Sequence, residues 1–237
     1  MKNKLSFKQG LKDALPICLG YLSVAIAFGV LAVQKQIPLW APPVISMTNL
    51  SGTGQFAALD LLESLASYIE TACAILIINA RYFLMSVSLS QRLPDDIKPW
   101  QRYIVAFGNT DEVFAVAMGQ KLPLTFKYLV GMIFCAWIGW VSGTVIGTFA
   151  GSIVPDALSS AFGISLYAMF LAIIIPASKD SKPVTYTVII AAATSCVFFF
   201  TPYLNKLSSG WVIIICGILS SALMALKHPI AEVQDEQ

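Results

Sequence analysis

The chain is short of charge. Only 12% of its 237 residues are Asp, Glu, Lys or Arg, against about 25% in soluble domains. Hydrophobic residues make up 57% and the mean hydropathy is +0.75. That balance excludes a large soluble core and predicts a polytopic membrane protein embedded in a lipid bilayer. Histidine is nearly absent. The one copy, His228, lies at the tail, which leaves no imidazole within the apolar runs for a Ser-His hydrolase or a His-metal centre. The five cysteines (Cys18, Cys73, Cys135, Cys196, Cys216) fall singly in apolar segments. None has metal-ligand spacing, so all are expected as reduced thiols. His-Glu-x-x-His and Gly-x-Ser-x-Gly are missing, and Gly52-Thr53-Gly54 is followed by Gln55 rather than an aspartate. An intramembrane enzyme is therefore disfavoured, and neither a cofactor nor a metal is expected. The net charge of +2 is spread over short loops and tails, with no patch for nucleic acid.

Apolar runs fill the rest of the chain. Ala14–Val33 is long enough to cross the bilayer core at about 1.5 Å per residue. Its lysine-rich lead-in (Lys2, Lys4, Lys8, Lys12) predicts a retained helix with a cytoplasmic N-terminus. Further segments are expected at 41–62, 67–90, 103–120, 128–150, 157–178, 183–205 and 207–226. Asp60, Glu63, Ser64, Ser67 and Glu70 read as a solvated outer connection. The fold class expected is all-α, a polytopic helical membrane protein with about six to eight hydrophobic segments, two of them broken or re-entrant. Residues 1–13 and 227–237 are expected as cytoplasmic tails flanking a single transmembrane domain, 14–226. If both interrupted segments are re-entrant, the loops carrying Arg92, Arg102, Lys121, Lys127, Lys179 and Lys182 all land inside, as the positive-inside rule favours. That makes six full spans. Seven or eight follow if one or both cross.

Gly139, Gly143, Gly147 and Gly151 recur every fourth residue. They form a groove that admits another backbone, either of this chain or of a partner subunit.

The interrupted segments carry the chemistry. Thr48-Asn49-Leu50-Ser51-Gly52-Thr53-Gly54-Gln55-Phe56 puts glycines and polar side chains inside an uncharged run. Such residues are tolerated at membrane depth only where they face protein or a watery cavity. The expectation is a broken helix whose free N–H groups and amides line a solute site; a polar loop outside the membrane is the plainer alternative. Gly108-Asn109-Thr110-Asp111-Glu112 is the second interruption, and Asn79 and Arg81 lie in the apolar run between the two.

Four motifs in order carry a family likeness: Gly10-x5-Pro16-Ile17-x2-Gly20-Tyr21 with Phe28-Gly29, then Ser51-Gly52-Thr53-Gly54-Gln55-Phe56, then Asn79-Ala80-Arg81-Tyr82-Phe83-Leu84-Met85-Ser86, and Thr110-Asp111-Glu112-Val113-Phe114. Over nearly its whole length the chain resembles the AzlC family, the large subunit of two-component branched-chain amino acid exporters. Ala80 and Tyr82 depart from the family, where Leu and His are usual. The resemblance implies export of Leu, Ile and Val, with Met as an extension, across a bacterial inner membrane. It also implies a small AzlD-like membrane subunit as partner.

A zwitterionic apolar amino acid needs donors for its carboxylate, an acceptor for its ammonium and an apolar pocket. Half-helix N–H groups near Gly52 and Gly54 suit the carboxylate, together with Asn49, Ser51, Gln55 and Asn79. Arg81 either joins them as a bidentate fork or pairs with Asp111 or Glu112 and locks two helices. Those two acids are candidates for the ammonium and for proton coupling. The competing classes are an uncoupled channel or facilitator for a small polar solute and a purely structural subunit.

Overall fold

The computed structural model describes residues 5–94, 96–151, 171, 174, 175, 178, 179 and 181–228. All regular structure among them is helical, and no strand occurs among the described residues. The helices are α1 (Phe7–Asp13), α2 (Leu15–Gln34), α3 (Ala41–Thr48), α4 (Gly52–Glu63), α5 (Tyr68–Ile78), α6 (Ala80–Ser90), α7 (Pro99–Phe107), α8 (Asp111–Met118), α9 (Phe126–Ala150), α10 (Lys182–Phe200) and α11 (Ser209–Lys227). Pro16, Pro42, Pro99 and Pro183 sit in first turns, where a missing N–H costs little. Thr125 caps α9 by accepting from the Tyr128 N–H at 3.1 Å. Among the described residues four helices (α2, α9, α10, α11) are long and apolar enough to cross a membrane, and α5 with α6 makes a fifth when taken as a pair. The span expected over 157–178 lies almost wholly outside the described residues, and so does the tail beyond His228.

The chain divides into two compact units, residues 1–59 with 78–166 and residues 60–77 with 167–237. In the first, α2 and α9 form the frame. A Cβ at Gly139, Gly143 or Gly147 would collide with the carbonyl oxygen of Cys18, Leu22 or Ile26, respectively. Each four-residue step along α9 is thus matched by an equal step, in the same direction, along α2. The two helices are parallel, and the glycine row is filled by this chain's own backbone. The groove is not free for a partner subunit. Residues 7–13, expected as part of a tail, are helical because Ser6 caps them. They dock where Gly10 meets the backbone of Tyr128 and Met132.

Parallel packing of α2 and α9 requires an odd number of crossings between them, which removes the arrangement in which one interrupted segment crosses and the other does not. Either both interrupted segments cross, or neither does. At the α7 end, the Trp100 ring meets Phe126 at 5.5 Å. At the α8 end, the Gln120 amide donates to the Tyr128 hydroxyl at 2.7 Å, while Arg92 donates to the Met118 and Gln120 carbonyls at 2.5 and 2.7 Å. Both feet of α7–α8 therefore stand at the N-terminal end of α9, and its tip reaches inward to Ile133, against which Gly108 packs. The α3–α4 pair enters from the other end. Ile37 leads in beside the last turns of α2, the Met47 carbonyl accepts from Trp137 Nε1 at 3.0 Å near the tip, and Phe56 returns to pack on Phe28 at 5.5 Å. Leu59 is buried in the same cluster as Ala25, Phe28 and Ala32. Both pairs are re-entrant hairpins entering from opposite ends, so among the described residues neither interrupted segment crosses the α2–α9 frame.

The expected helix 67–90 is interrupted at Asn79, a third break that the apolar run concealed. In the second unit Leu61, Ala74 and Ile214 form a small core. Glu70 is not solvated as expected. It is buried in the first turn of α5, where the helix end favours a carboxylate, and it accepts from the Ser208 hydroxyl.

Gly143→Leu is expected to wedge α2 from α9. Overpacking of this kind costs about 1–3 kcal/mol or more, which lowers the unfolding midpoint by roughly 2–12 °C in a chain of this size. Thermal unfolding in detergent measures it, and an unchanged midpoint would contradict the close approach.

Candidate functional site

All three interruptions open on one cavity of about 190 Å³. The α3–α4 break supplies Thr48, Asn49, Leu50 and Ser51, the α5–α6 break supplies Asn79 with Tyr82 one turn on, and the α7–α8 break supplies Ala106, Phe107, Asn109 and Thr110. Ser51, Asn79 and Thr110 each immediately precede a helix, so the N-terminal ends of α4, α6 and α8 converge here. Those ends carry partial positive charge and unsatisfied N–H groups.

The α3–α4 tip is held open by its own polar groups. The Asn49 Oδ1 accepts from the Ser51 N–H at 2.6 Å, and the Asn49 carbonyl accepts from Gln55 Nε2 at 2.6 Å. Ser51 Oγ accepts from the Gly54 N–H at 3.2 Å and donates to Asn79 Oδ1 at 2.5 Å, which ties the first and second breaks together. Gln55 is 1% exposed and its amide is consumed. Its Oε1 accepts from Ser46 Oγ and Trp140 Nε1, both at 3.1 Å. It braces the tip from behind and does not line the cavity. Gly52 sits against the Trp140 ring, and Gly54 against Ser51 and Asn79. Both glycines provide room for the wall rather than the wall's surface.

The charged residues form a second layer. Arg81 Nη1 lies 2.9 Å from Asp111 Oδ2. Its Nη2 donates to Thr53 Oγ1 at 3.1 Å, and the guanidinium sits 5.0 Å from the centre of the Tyr82 ring, within cation–π range. Glu112 turns away from this pair and accepts from the Tyr21 hydroxyl, which also reaches Thr110 Oγ1 at 2.7 Å. The adjacent acids are thus separated by the helical turn: one holds Arg81, the other Tyr21. Neither acid nor Arg81 lines the cavity.

Of the residues expected at the site, Asn49, Ser51 and Asn79 face the cavity. Gly52, Gly54, Gln55, Arg81, Asp111 and Glu112 lie behind it. Tyr21, Tyr82 and Asn109 were not singled out as site residues. The Gly20-Tyr21 motif carried a signal for the first. Tyr82 marked itself by replacing the usual histidine.

Gly54→Leu is expected to drive a side chain into Ser51 Oγ and Asn79 Nδ2, 2.9 and 3.2 Å from an added Cβ. If the chain carries a solute, as the resemblance implies, the variant should reach the membrane yet lose that transport at least tenfold, about 1.4 kcal/mol. Normal transport would mean that the tip does not shape the solute path.

The family described as AzlC protein matches residues 16–154, more than half of the chain. The inner membrane protein YgaZ of Escherichia coli (strain K12) is 29% identical over 93% of this chain and 91% of its own length. An uncharacterized membrane protein of Archaeoglobus fulgidus is 32% identical over 73% of this chain and 76% of its own. The branched-chain amino acid transport protein AzlC of Bacillus subtilis (strain 168) is 24% identical over 63% and 59%. No solved structure matches the chain.

Proposed function

This chain belongs to the AzlC family of membrane proteins, and from that footing we propose that it is a secondary transporter, not an enzyme, that exports branched-chain and related apolar amino acids across the bacterial cytoplasmic membrane. It works as the large subunit beside a small AzlD-like membrane partner and draws on the proton gradient.

The cavity at the three breaks carries this proposal. Its volume of about 190 Å³ is below the roughly 300 Å³ at which drug-sized pockets begin, and it suits a single amino acid rather than a peptide. Leu50, Tyr82, Ala106 and Phe107 give an apolar wall, while Asn49, Ser51 and Asn79 give polar groups beside two helix starts. A carboxylate is best accommodated at those starts. Arg81 adds positive potential from the second layer. Glu112 is the coupling group, since Tyr21 rather than a fixed cation holds it, and Asp111 stays with Arg81. The named role of the Bacillus subtilis relative supports the substrate class.

Counterflow of labelled L-leucine in membrane vesicles, with and without the small subunit, tests the proposal. Leucine, isoleucine and valine should exchange and polar amino acids should not. Collapse of the proton gradient should stop uphill movement while exchange persists. Uphill movement that survives the collapse would favour an uncoupled or differently coupled carrier. No exchange with the partner present would refute the substrate class.

A further inference from the structure

A second cavity, of about 140 Å³, lies between α6 and α7. It is lined by Ser86, Ser90 and Arg102, and it shares Ala106 and Asn109 with the central one. Leu89, also in its wall, belongs to the buried cluster of Leu5, Ala14, Leu124 and Tyr128, so this cavity points to the N-terminal end of α9. Asn109 stands at the junction. It is 4% exposed, and its Nδ2 donates to Ser86 Oγ at 3.0 Å. Its Oδ1 is buried with no hydrogen-bond partner. Buried acceptors are nearly always paired, and leaving one unpaired is costly. The nearby carboxylates are already committed, Asp111 to Arg81 and Glu112 to Tyr21. The amide oxygen is a buried acceptor without a partner, on a residue in the wall that the two cavities share.

We propose that the two cavities are consecutive stations on one solute path and that Asn109 binds the solute between them, its Oδ1 accepting a hydrogen bond from the solute's ammonium group. Arg102, exposed at the outer end of the smaller cavity, draws the carboxylate of an arriving zwitterion, and Asn109 takes the ammonium as the solute moves inward. The assignment rests on the central cavity being the substrate site. It supplies an ammonium acceptor that no group of the protein already occupies.

Two measurements test it. The first is competition against labelled leucine exchange by L-leucine and by 4-methylpentanoate, which lacks the ammonium. Asn109→Leu should weaken competition by leucine about tenfold, the scale of one hydrogen bond to a charged group, and leave 4-methylpentanoate unchanged. Asn109→Asp keeps an acceptor and should retain leucine's advantage. Equal discrimination by Asn109→Leu and the wild type overturns the ammonium contact. The second is labelling of Ser90→Cys, over the wild-type background, with a membrane-impermeant maleimide in vesicles of each orientation. Reaction only from the face bearing Arg92 and Lys121, slowed by leucine, supports the path. Reaction from the opposite face, or none, overturns it, and this holds even if Asn109→Leu fails to accumulate. Absence of leucine exchange in the wild type tells against the substrate class instead, and the sidedness of Ser90→Cys still judges the path.

Discussion

Arg81→Ala is expected to abolish transport, and adding Asp111→Asn to the same chain is expected to restore much of it. The single change leaves Asp111 without its cation 2.9 Å away and Thr53 without its donor. Removing one partner of a buried pair typically costs about 3–5 kcal/mol. Here the two side chains are 31% and 30% exposed, so about 1–3 kcal/mol is the appropriate scale. That is still enough to displace α6 from α8 at the edge of the cavity. The double variant removes both charges and no longer strands either. A double-mutant cycle on thermal stability and on leucine exchange should show coupling above about 0.5 kcal/mol, the lower end for residues in contact. If stability returns in the double variant and exchange does not, Arg81 acts on the substrate. If the two effects simply add, the pair has no structural role.

Glu112→Gln is expected to abolish uphill efflux and leave exchange near the wild-type rate. Glu112 is held by the Tyr21 hydroxyl and not by Arg81. A hydroxyl can donate to a carboxylate or accept from a carboxylic acid, so either protonation state of Glu112 keeps this contact. A group tied to a guanidinium lacks that freedom. Glutamine retains the size and a hydrogen bond to Tyr21 but carries no titratable proton. Tyr21→Phe should alter the pH dependence of export while keeping the charge. The measurement is leucine accumulation against an imposed pH gradient, beside exchange with no gradient. Uphill efflux by Glu112→Gln at the wild-type level would remove Glu112 from the coupling step. A parallel loss in Asp111→Asn alone would move the role to its neighbour.

Both hairpins were legible because they break a rule of lipid-embedded helices. Glycines and amides inside an uncharged run announce themselves at 48–56 and at 108–112. The break at Asn79 gave a weaker sign, a single amide beside Arg81. It has neither glycine nor proline, and its apolar flanks read as one helix. It is sustained by a contact with Ser51, 28 positions away, and an asparagine side chain readily competes with helical hydrogen bonding. Distance along the chain hid other features too. Tyr21 meets Glu112 across 91 positions, a pairing that no spacing pattern encodes. Gln55 stands out in the sequence as an amide in an apolar run, but only its bonds with Ser46 and Trp140 place it behind the wall. The lysines around α1 read as a solvated tail, because a helix of seven residues with one buried glycine has almost no apolar signature.

The hairpins also differ in where they are rooted. One stands at the N-terminal end of α9 and the other at the opposite end, with their tips meeting at the same small chamber. In the proposed transport role, lifting one tip would open the chamber toward that hairpin's own root while the other hairpin still closed it. A carrier built this way resembles an airlock with two doors hinged on opposite walls. On that proposal leakage would require both to swing at once, and the bond between Ser51 and Asn79 would have to break before the α3–α4 door could open.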